Sequence, residues 1–434
     1  MVDVFQSLGF EYLFANPASS FGAIHESVIG YGGNVQPEFI TCPHEEISVA
    51  MADGYAKIAG RPAMVCAHGT VGLQHAAMAV YNAYCDQVPV YIVLGNTADA
   101  AARRGRVEWL HSAQDPVSVA RDFIKWEDRP GSLEHFAESA VRAYELAMTP
   151  PTRPVAVVVD TVLQRKRPPL DFAARIPRAQ VPAPPHVDPG ALGDMARALV
   201  GAANPVIVAG RVVRSAGSLA SMVELAELLQ AGVVDEYRRL NFPTRHPLNQ
   251  TAAKRAAIAA ADVILALEVE DLFGAVHRLH GQLKVLPRPI ANGRARIFRI
   301  GLDAFIPRSN YQNLQRHQET HLSVAADAEA SLPALVEAVR RLLPGGRAAG
   351  ADVRRSRWED ASRRLQQSAI ADAHRNWDAR PVSTARLSSE LWQQIRRHDW
   401  SLVSFTRRVS DWPLRLWDFN APHQYIGGAG GEGV

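Results

Sequence analysis

His44-Glu45-Glu46-Ile47-Ser48-Val49-Ala50-Met51-Ala52-Asp53-Gly54-Tyr55-Ala56 is the stretch on which the reading of this chain turns. Apolar residues at Ile47, Val49, Met51 and Tyr55, with Gly60 as a stop, predict a helix over Glu45–Ala59. Two adjacent carboxylates open it, and two readings of them stand side by side. Acids in a first turn complement the helix dipole by ~0.3 to 1 kcal/mol. Equally, the helix is too apolar for a surface helix, so Glu45 or Glu46 is expected to be partly buried. Burial raises a carboxyl's pKa, which suits proton exchange near neutrality.

Working outward, short apolar runs flank this helix. Tyr12 to Ala15 and Phe39 to Thr41 precede it; Ala63 to Ala67, Val88 to Leu94 and Val155 to Val159 follow. Helical stretches at Leu73 to Tyr84 and Leu133 to Met148 separate them. Val and Ile run on without strict alternation, as in strands buried on both faces. That is the mark of α/β architecture with doubly wound parallel sheets. Two loops after predicted strands hold candidate groups. His68-Gly69-Thr70-Val71-Gly72 lacks both the GxGxxG pattern and the Walker lysine, so it is poor as a phosphate loop. His68 there reads as a structural histidine or a site residue. Asn16-Pro17-Ala18-Ser19-Ser20 reads as a turn with capping serines or as a binding loop.

A proline-rich segment over 166–189 is predicted to be an extended linker. A second α/β pattern fills 190–345, with strands at Val206 to Ala209, Val263 to Leu267 and Ile297 to Ile300. Its helices are expected at Leu192 to Leu199, Leu219 to Gln230 and Leu332 to Leu343, the last stopped by Pro344-Gly345-Gly346. A linker and helix occupy 346–380. A third start over 381–434 comprises a helix at Ser383 to Arg396, a strand at Ser401 to Phe405 and a glycine run. That third domain is expected to be incomplete.

The 434 residues are 47% hydrophobic and 21% charged, enough for two or three cores. With 47 basic and 44 acidic residues there is no global field to attract nucleic acid. Three widely spaced cysteines, Cys42, Cys66 and Cys85, make neither a disulfide framework nor a zinc site. No apolar run approaches the ~18 to 20 residues that span a bilayer, and no signal peptide is read. The expectation is a cytoplasmic protein with no membrane or nucleic-acid partner.

In this order the motifs resemble the thiamine-diphosphate-dependent decarboxylase and carboligase superfamily, which includes acetolactate synthase and benzoylformate decarboxylase. Asn-Pro-Ala-Ser-Ser at 16–20, His-Glu-Glu with Met-Ala-Asp-Gly-Tyr-Ala at 44–56, and the His68 loop running into Ala83-Tyr84-Cys85-Asp86-Gln87-Val88-Pro89 carry the resemblance. It implies a pyrimidine-binding domain over 1–165, a central domain over 190–345 and the opening of a diphosphate-binding domain over 381–434. It maps the cofactor-activating glutamate onto Glu45, eight residues before Asp53. Such a glutamate hydrogen-bonds the pyrimidine nitrogen, and the ring's own amine then takes the thiazolium proton. Ser19 and His68 match positions that meet the substrate carboxylate and shuttle protons. Thr70 and Asn82 fall near the cofactor by the same mapping. The resemblance implies a 2-oxo acid substrate and a homodimer or tetramer in which Glu45 acts on cofactor held by the other subunit.

One departure stands out. The superfamily holds Mg²⁺ and the diphosphate with a Gly-Asp-Gly stretch, and this sequence contains none. The metal and diphosphate site is therefore expected to be missing from this polypeptide, which is expected to bind thiamine diphosphate weakly or not at all. The alternative is a non-catalytic, degenerate paralogue that serves as a regulatory partner chain. FAD or ADP, held by some relatives in the central domain, would sit at the turn after Val206-Ile207-Val208-Ala209, at Gly210-Arg211. An empty central domain is the favoured expectation. Arg103, Arg104 and Arg106 read as a solvated loop in preference to an anion site.

Overall fold

The computed structural model describes residues 1–105, 108–168, 172, 175–278, 286–305, 313–343, 350–403 and 411–428. Expectations for Arg106, Pro344-Gly345-Gly346, the end of the 401–405 strand and most of the terminal glycine run lie outside those residues. The described residues divide into two compact units, Met1–Ala183 and Pro184–Gly428.

The first unit runs α1 (Val2–Ser7), β1 (Tyr12–Ala15), α2 (Gly22–Gly30), β2 (Glu38–Thr41), α3 (Glu45–Ala59), β3 (Met64–His68), α4 (Val71–Cys85) and β4 (Tyr91–Asn96). It continues α5 (Glu108–His111), β5 (Trp126–Asp128), α6 (Leu133–Met148), β6 (Val155–Asp160) and α7 (Thr161–Arg165). Its six strands form one parallel sheet in the order β2-β1-β3-β4-β6-β5. Every residue of β4 is buried, which is why Tyr-Ile-Val-Leu shows no alternation. One face packs Phe5, Phe10, Leu13, Met64, Tyr91, Phe136 and Val157. The other packs Val49, Ala52, Val65, Leu73, Ala76 and Ile92 beneath α3 and α4.

Helix α3 has the predicted bounds. His44 Nδ1 accepts the Glu46 N–H at its start, and Gly60 closes it in the left-handed conformation at φ 68°. Its buried face differs from expectation. Glu45, Ser48, Val49, Ala52 and Ala56 point inward, whereas Ile47, Met51 and Ile58 are 43%, 40% and 55% exposed. Apolar character therefore did not identify the inner face, because the helix carries an apolar stripe on its outer side as well.

The second unit runs α8 (Pro189–Val200), β7 (Pro205–Ala209), α9 (Ala216–Leu229), β8 (Gly232–Asp235), α10 (Lys254–Ala260), β9 (Val263–Leu267), α11 (Leu272–Val276), β10 (His277–Arg278) and β11 (Arg288–Pro289). Then follow β12 (Arg296–Gly301), β13 (Leu322–Ala325), α12 (Ala328–Leu342), α13 (Ala351–His374), α14 (Thr384–Ile395) and α15 (Trp412–Leu416). Five strands form a parallel sheet in the order β13-β12-β9-β7-β8, and β10 pairs antiparallel with β11. Pro189 is the first residue of α8, capped by Asp188, so the extended linker stops before it. Helix α12 starts four residues before the predicted Leu332, at an Asp327 cap, and runs through Pro333. Leu402 makes one isolated bridge to Tyr425 where a strand was predicted. The described residues beyond α13 group with the second unit. Leu240 packs with Leu414, Trp417, Phe419 and Tyr425 in one aromatic cluster, which ties this stretch to the central domain.

Candidate active site

In a parallel α/β sheet the loops at the strand C-termini converge on ligands. Strands β2, β1, β3 and β4 are neighbours, so the loops beginning at Cys42, Asn16, Gly69 and Thr97 lie side by side. Glu45 sits on the first of them and is only 4% exposed. Its Oε1 accepts from Asn16 Nδ2 at 3.2 Å, and its Oε2 lies 3.3 Å from His75 Nδ1. His75, on α4, is largely exposed and stacks on His44 with ring centroids 5.0 Å apart. A first turn suits a carboxylate, since the unpaired N–H groups there are electropositive. Glu45 thus both complements the helix dipole and is buried. Glu46 is half-buried.

The β3 and β4 loops build a second cluster. Asn96 clamps the backbone of Ala113, donating to its carbonyl at 2.8 Å and accepting from its N–H at 3.2 Å. This holds the α5 segment over β3 and places the His111 ring 4.7 Å from the His68 ring, edge to face. Desolvation pulls the His68 pKa below the ordinary imidazole value, and the neighbouring His111 adds to this; Glu45 and Glu108 oppose it. His68 is thus a neutral base at neutral pH. Glu108 is 5% exposed, and its Oε1 takes the Arg104 Nε–H. Desolvation works against the charged form there, yet Arg104 holds the Glu108 carboxyl below its usual range. Among the described residues, His68 Nδ1, His111 Nδ1, Thr70 Oγ1, Glu108 Oε2 and Ser20 Oγ are buried without a hydrogen-bond partner. Buried polar atoms are normally paired, so a group of orphans in one strand-end region marks a place for a polar ligand.

The predicted residues divide accordingly. Glu45, His68 and Thr70 lie on these adjoining strand ends. Ser19 is exposed, and it is Ser20 whose hydroxyl is buried. A Cβ on Gly95 would run into the Ser20 carbonyl, so this glycine is what lets the 18–20 loop settle on β4. Asn82 stands seven residues beyond His75 on α4, about 10 Å along the helix axis. Arg103 donates to the Thr97 and Ala98 carbonyls and Arg104 to Glu108, so both serve their own loop. Sequence reasoning missed Asn96, Glu108, His111 and His75. A histidine near the start of α4, facing the same helix end as Glu45, was the available signal for the last.

Three donors, one each from His44, Glu45 and His75, lie within 4.8 Å of one another, the one such cluster found among the described residues. Two imidazoles and a single carboxylate do not suit Mg²⁺, which takes six oxygens. The surroundings of Glu45 thus fit the pyrimidine half of thiamine diphosphate, which needs a dry carboxyl, and the His44-Glu45-His75 cluster does not fit its metal.

The central-domain turn does not fit a nucleotide phosphate. The Gly210 N–H bonds Leu267 O and the Arg211 N–H bonds Glu268 O. Asn241 Oδ1 takes both the Val212 and Val213 N–H groups, and Arg214 N–H meets Ser218 Oγ and Glu329 Oε1. Each N–H that would cradle a phosphate is already bound. Gly210 is small for another reason: a Cβ there would strike the Glu268 carbonyl.

Residues 1–118 match the thiamine pyrophosphate enzyme N-terminal TPP binding domain, and residues 192–283 match the central domain of the same enzymes. A benzoylformate decarboxylase of Pseudomonas aeruginosa is 30% identical over 209 residues, 47% of this chain and 38% of that protein. A sulfoacetaldehyde acetyltransferase of Rhodobacter capsulatus is 28% identical over 282 residues, 61% of this chain and 44% of that protein. The chain thus covers less than half the length of these relatives. The crystal structure of benzoylformate decarboxylase from Polynucleobacter necessarius superposes with a TM-score of 0.75 at 16% identity, over 99% of this chain and 73% of that one. At that identity the likeness speaks for the fold.

Proposed function

Since the chain belongs to the thiamine pyrophosphate enzyme family through its N-terminal and central domains, we propose that it supplies the cofactor-activating half of a 2-oxo acid decarboxylase or carboligase. The observation that carries this is Glu45, a buried carboxylate on a helix first turn, held by Asn16 at the mouth of a parallel sheet. Bound thiamine diphosphate supplies the nucleophilic carbon and the electron sink for cleaving or forming the bond beside a 2-oxo group. Glu45 would hold the pyrimidine ring nitrogen by a hydrogen bond that its dry surroundings strengthen. His68, neutral at working pH, accepts or returns a proton beside the substrate carboxylate. The orphaned Ser20 and Thr70 hydroxyls orient the polar substrate.

The outer stripe of α3, Ile47, Met51 and Ile58, supports a second copy as the partner, because exposed apolar residues in line along one helix favour burial. In that assembly Glu45 serves cofactor held across the interface. Three buried cysteines, none of them in a disulfide, support a cytoplasmic setting. A regulatory or degenerate partner chain is the second reading, favoured by one observation: the sequence contains no Gly-Asp-Gly. Both readings place the diphosphate and Mg²⁺ outside the described residues.

Calorimetric titration of the chain with thiamine diphosphate, with and without Mg²⁺, tests this. We expect weak binding that Mg²⁺ does not improve and that Glu45→Gln reduces further. Tight, Mg²⁺-dependent binding would refute the absence of a metal site. Binding indifferent to Glu45→Gln would remove Glu45 from the cofactor.

A further inference from the structure

The second unit contains a cavity of about 860 Å³ that belongs to neither cluster above. Its walls are the loop after β8, one face of α13 and the start of α15. The loop is held rigidly. Thr244 N–H bonds Phe419 O at 3.0 Å, Thr244 Oγ1 donates to Trp417 O at 3.0 Å, and Asn249 Nδ2 donates to Pro243 O at 3.1 Å. Arg245, between these anchors, faces the cavity. Among the described residues it makes no hydrogen bond and no ion pair; Asp418 is felt at longer range. Desolvation pulls its pKa below the usual arginine value. A partly desolvated guanidinium without a partner is costly, and proteins seldom keep one without use.

A second arginine shares the wall. Arg415 is fixed by Asp372 at 2.7 Å and by stacking its guanidinium 4.1 Å over the Trp412 ring. With Arg415 neutralised by Asp372, Arg245 is the cation on this lining that has no ion-pair partner among the described residues, and Asp411 is the lining's carboxylate. Thr251, Ser362 and Gln366 add neutral donors and acceptors. The volume lies in the range of small-molecule sites. Arginines pair best with carboxylate and phosphate oxygens, two N–H groups to two oxygens.

We propose that this cavity binds a small, doubly charged oxyanion, a phosphate ester or a dicarboxylate, with Arg245 as its anchor. The site is independent of Glu45 and of thiamine chemistry. It gives the central domain a ligand of its own, at the β8 side of its sheet, where the turn after β7 is closed to phosphate.

Calorimetry and thermal melting of the full chain in a phosphate-free buffer test it, with inorganic phosphate and succinate as probes. Saturable one-site binding of either supports the proposal; preference for phosphate assigns a phosphate ester, preference for succinate a dicarboxylate. Arg245→Gln should weaken that binding by about tenfold or more, while Glu45→Gln leaves it unchanged. Without anion, Arg245→Gln should melt at the same temperature or higher, since an unpaired charge has been removed. A merely structural arginine would lower it. No saturable binding of either probe, or equal binding by Arg245→Gln, overturns the proposal.

Discussion

His68 and His111 show how far one contact shapes a site. Two imidazoles 4.7 Å apart cannot both carry a proton cheaply, and burial already disfavours the charged form of His68. Replacing His111 by Gln removes one of the two depressing influences. The His68 titration, followed through its ring protons by NMR, should move up toward the ordinary imidazole range without reaching it. No movement would mean that desolvation alone sets it. Gly95 belongs at the same scale. Gly95→Ala drives a methyl into the Ser20 carbonyl and should cost several kcal/mol, about the magnitude of overpacking with backbone displacement. Chemical denaturation reads that loss.

Helix α3 is the element on which the candidate site depends, and its two ends are set differently. His44 both caps the helix and stacks on His75, so cap and site share a residue. At the other end, Gly60 at φ 68° has open space around its missing Cβ. Gly60→Ala should therefore cost only the left-handed backbone penalty, about 1 to 2 kcal/mol by urea denaturation. A larger loss would show that α3 is tied to the rest of the unit through its C-terminus. The outer stripe carries its own prediction. In the proposed assembly with a second copy, Met51→Glu should leave the helix intact and abolish self-association in sedimentation, because a charge would have to be buried in the interface. Much of this helix was legible beforehand: its bounds, its Gly60 stop and the burial of an acid in its first turn. Which apolar residues faced inward was not legible, since the helix carries apolar residues on both sides.

At the scale of the molecule, stability is linked to pH through the second unit. Glu268 is half-buried just past the end of β9, where it accepts the Ala328 and Leu302 N–H groups. Desolvation, with Asp327 nearby, pushes its pKa up to about 7 against the opposing backbone hydrogen bonds. Between the unfolded value near 4.5 and about 7, the folded chain holds a proton that the unfolded chain has released. Stability should therefore be greatest below that window and decline as pH rises through it, by up to about 3 kcal/mol. Glu268→Gln should flatten this slope in melting experiments from pH 4.5 to 7.5. A slope unchanged in the variant would place the linkage elsewhere.

Some properties of this protein were set by local sequence and could be read from it. Helix ends follow from caps and left-handed glycines within a few residues, and unbroken Val and Ile runs signal strands covered on both faces. The motifs at 16–20 and 44–56 resemble those of a cofactor family, and that resemblance singled out Glu45 before any contact was known. Other features arose only when distant segments met. Asn96 and Ala113 are seventeen residues apart, yet their paired hydrogen bonds bring His111 to His68. Ser20 rather than Ser19 is buried because the loop settles against Gly95. Asn241 closes the turn after β7 from 28 and 29 residues away. Each depends on desolvation and on partners supplied across the fold, and neither is encoded in the identity of the residue or its neighbours.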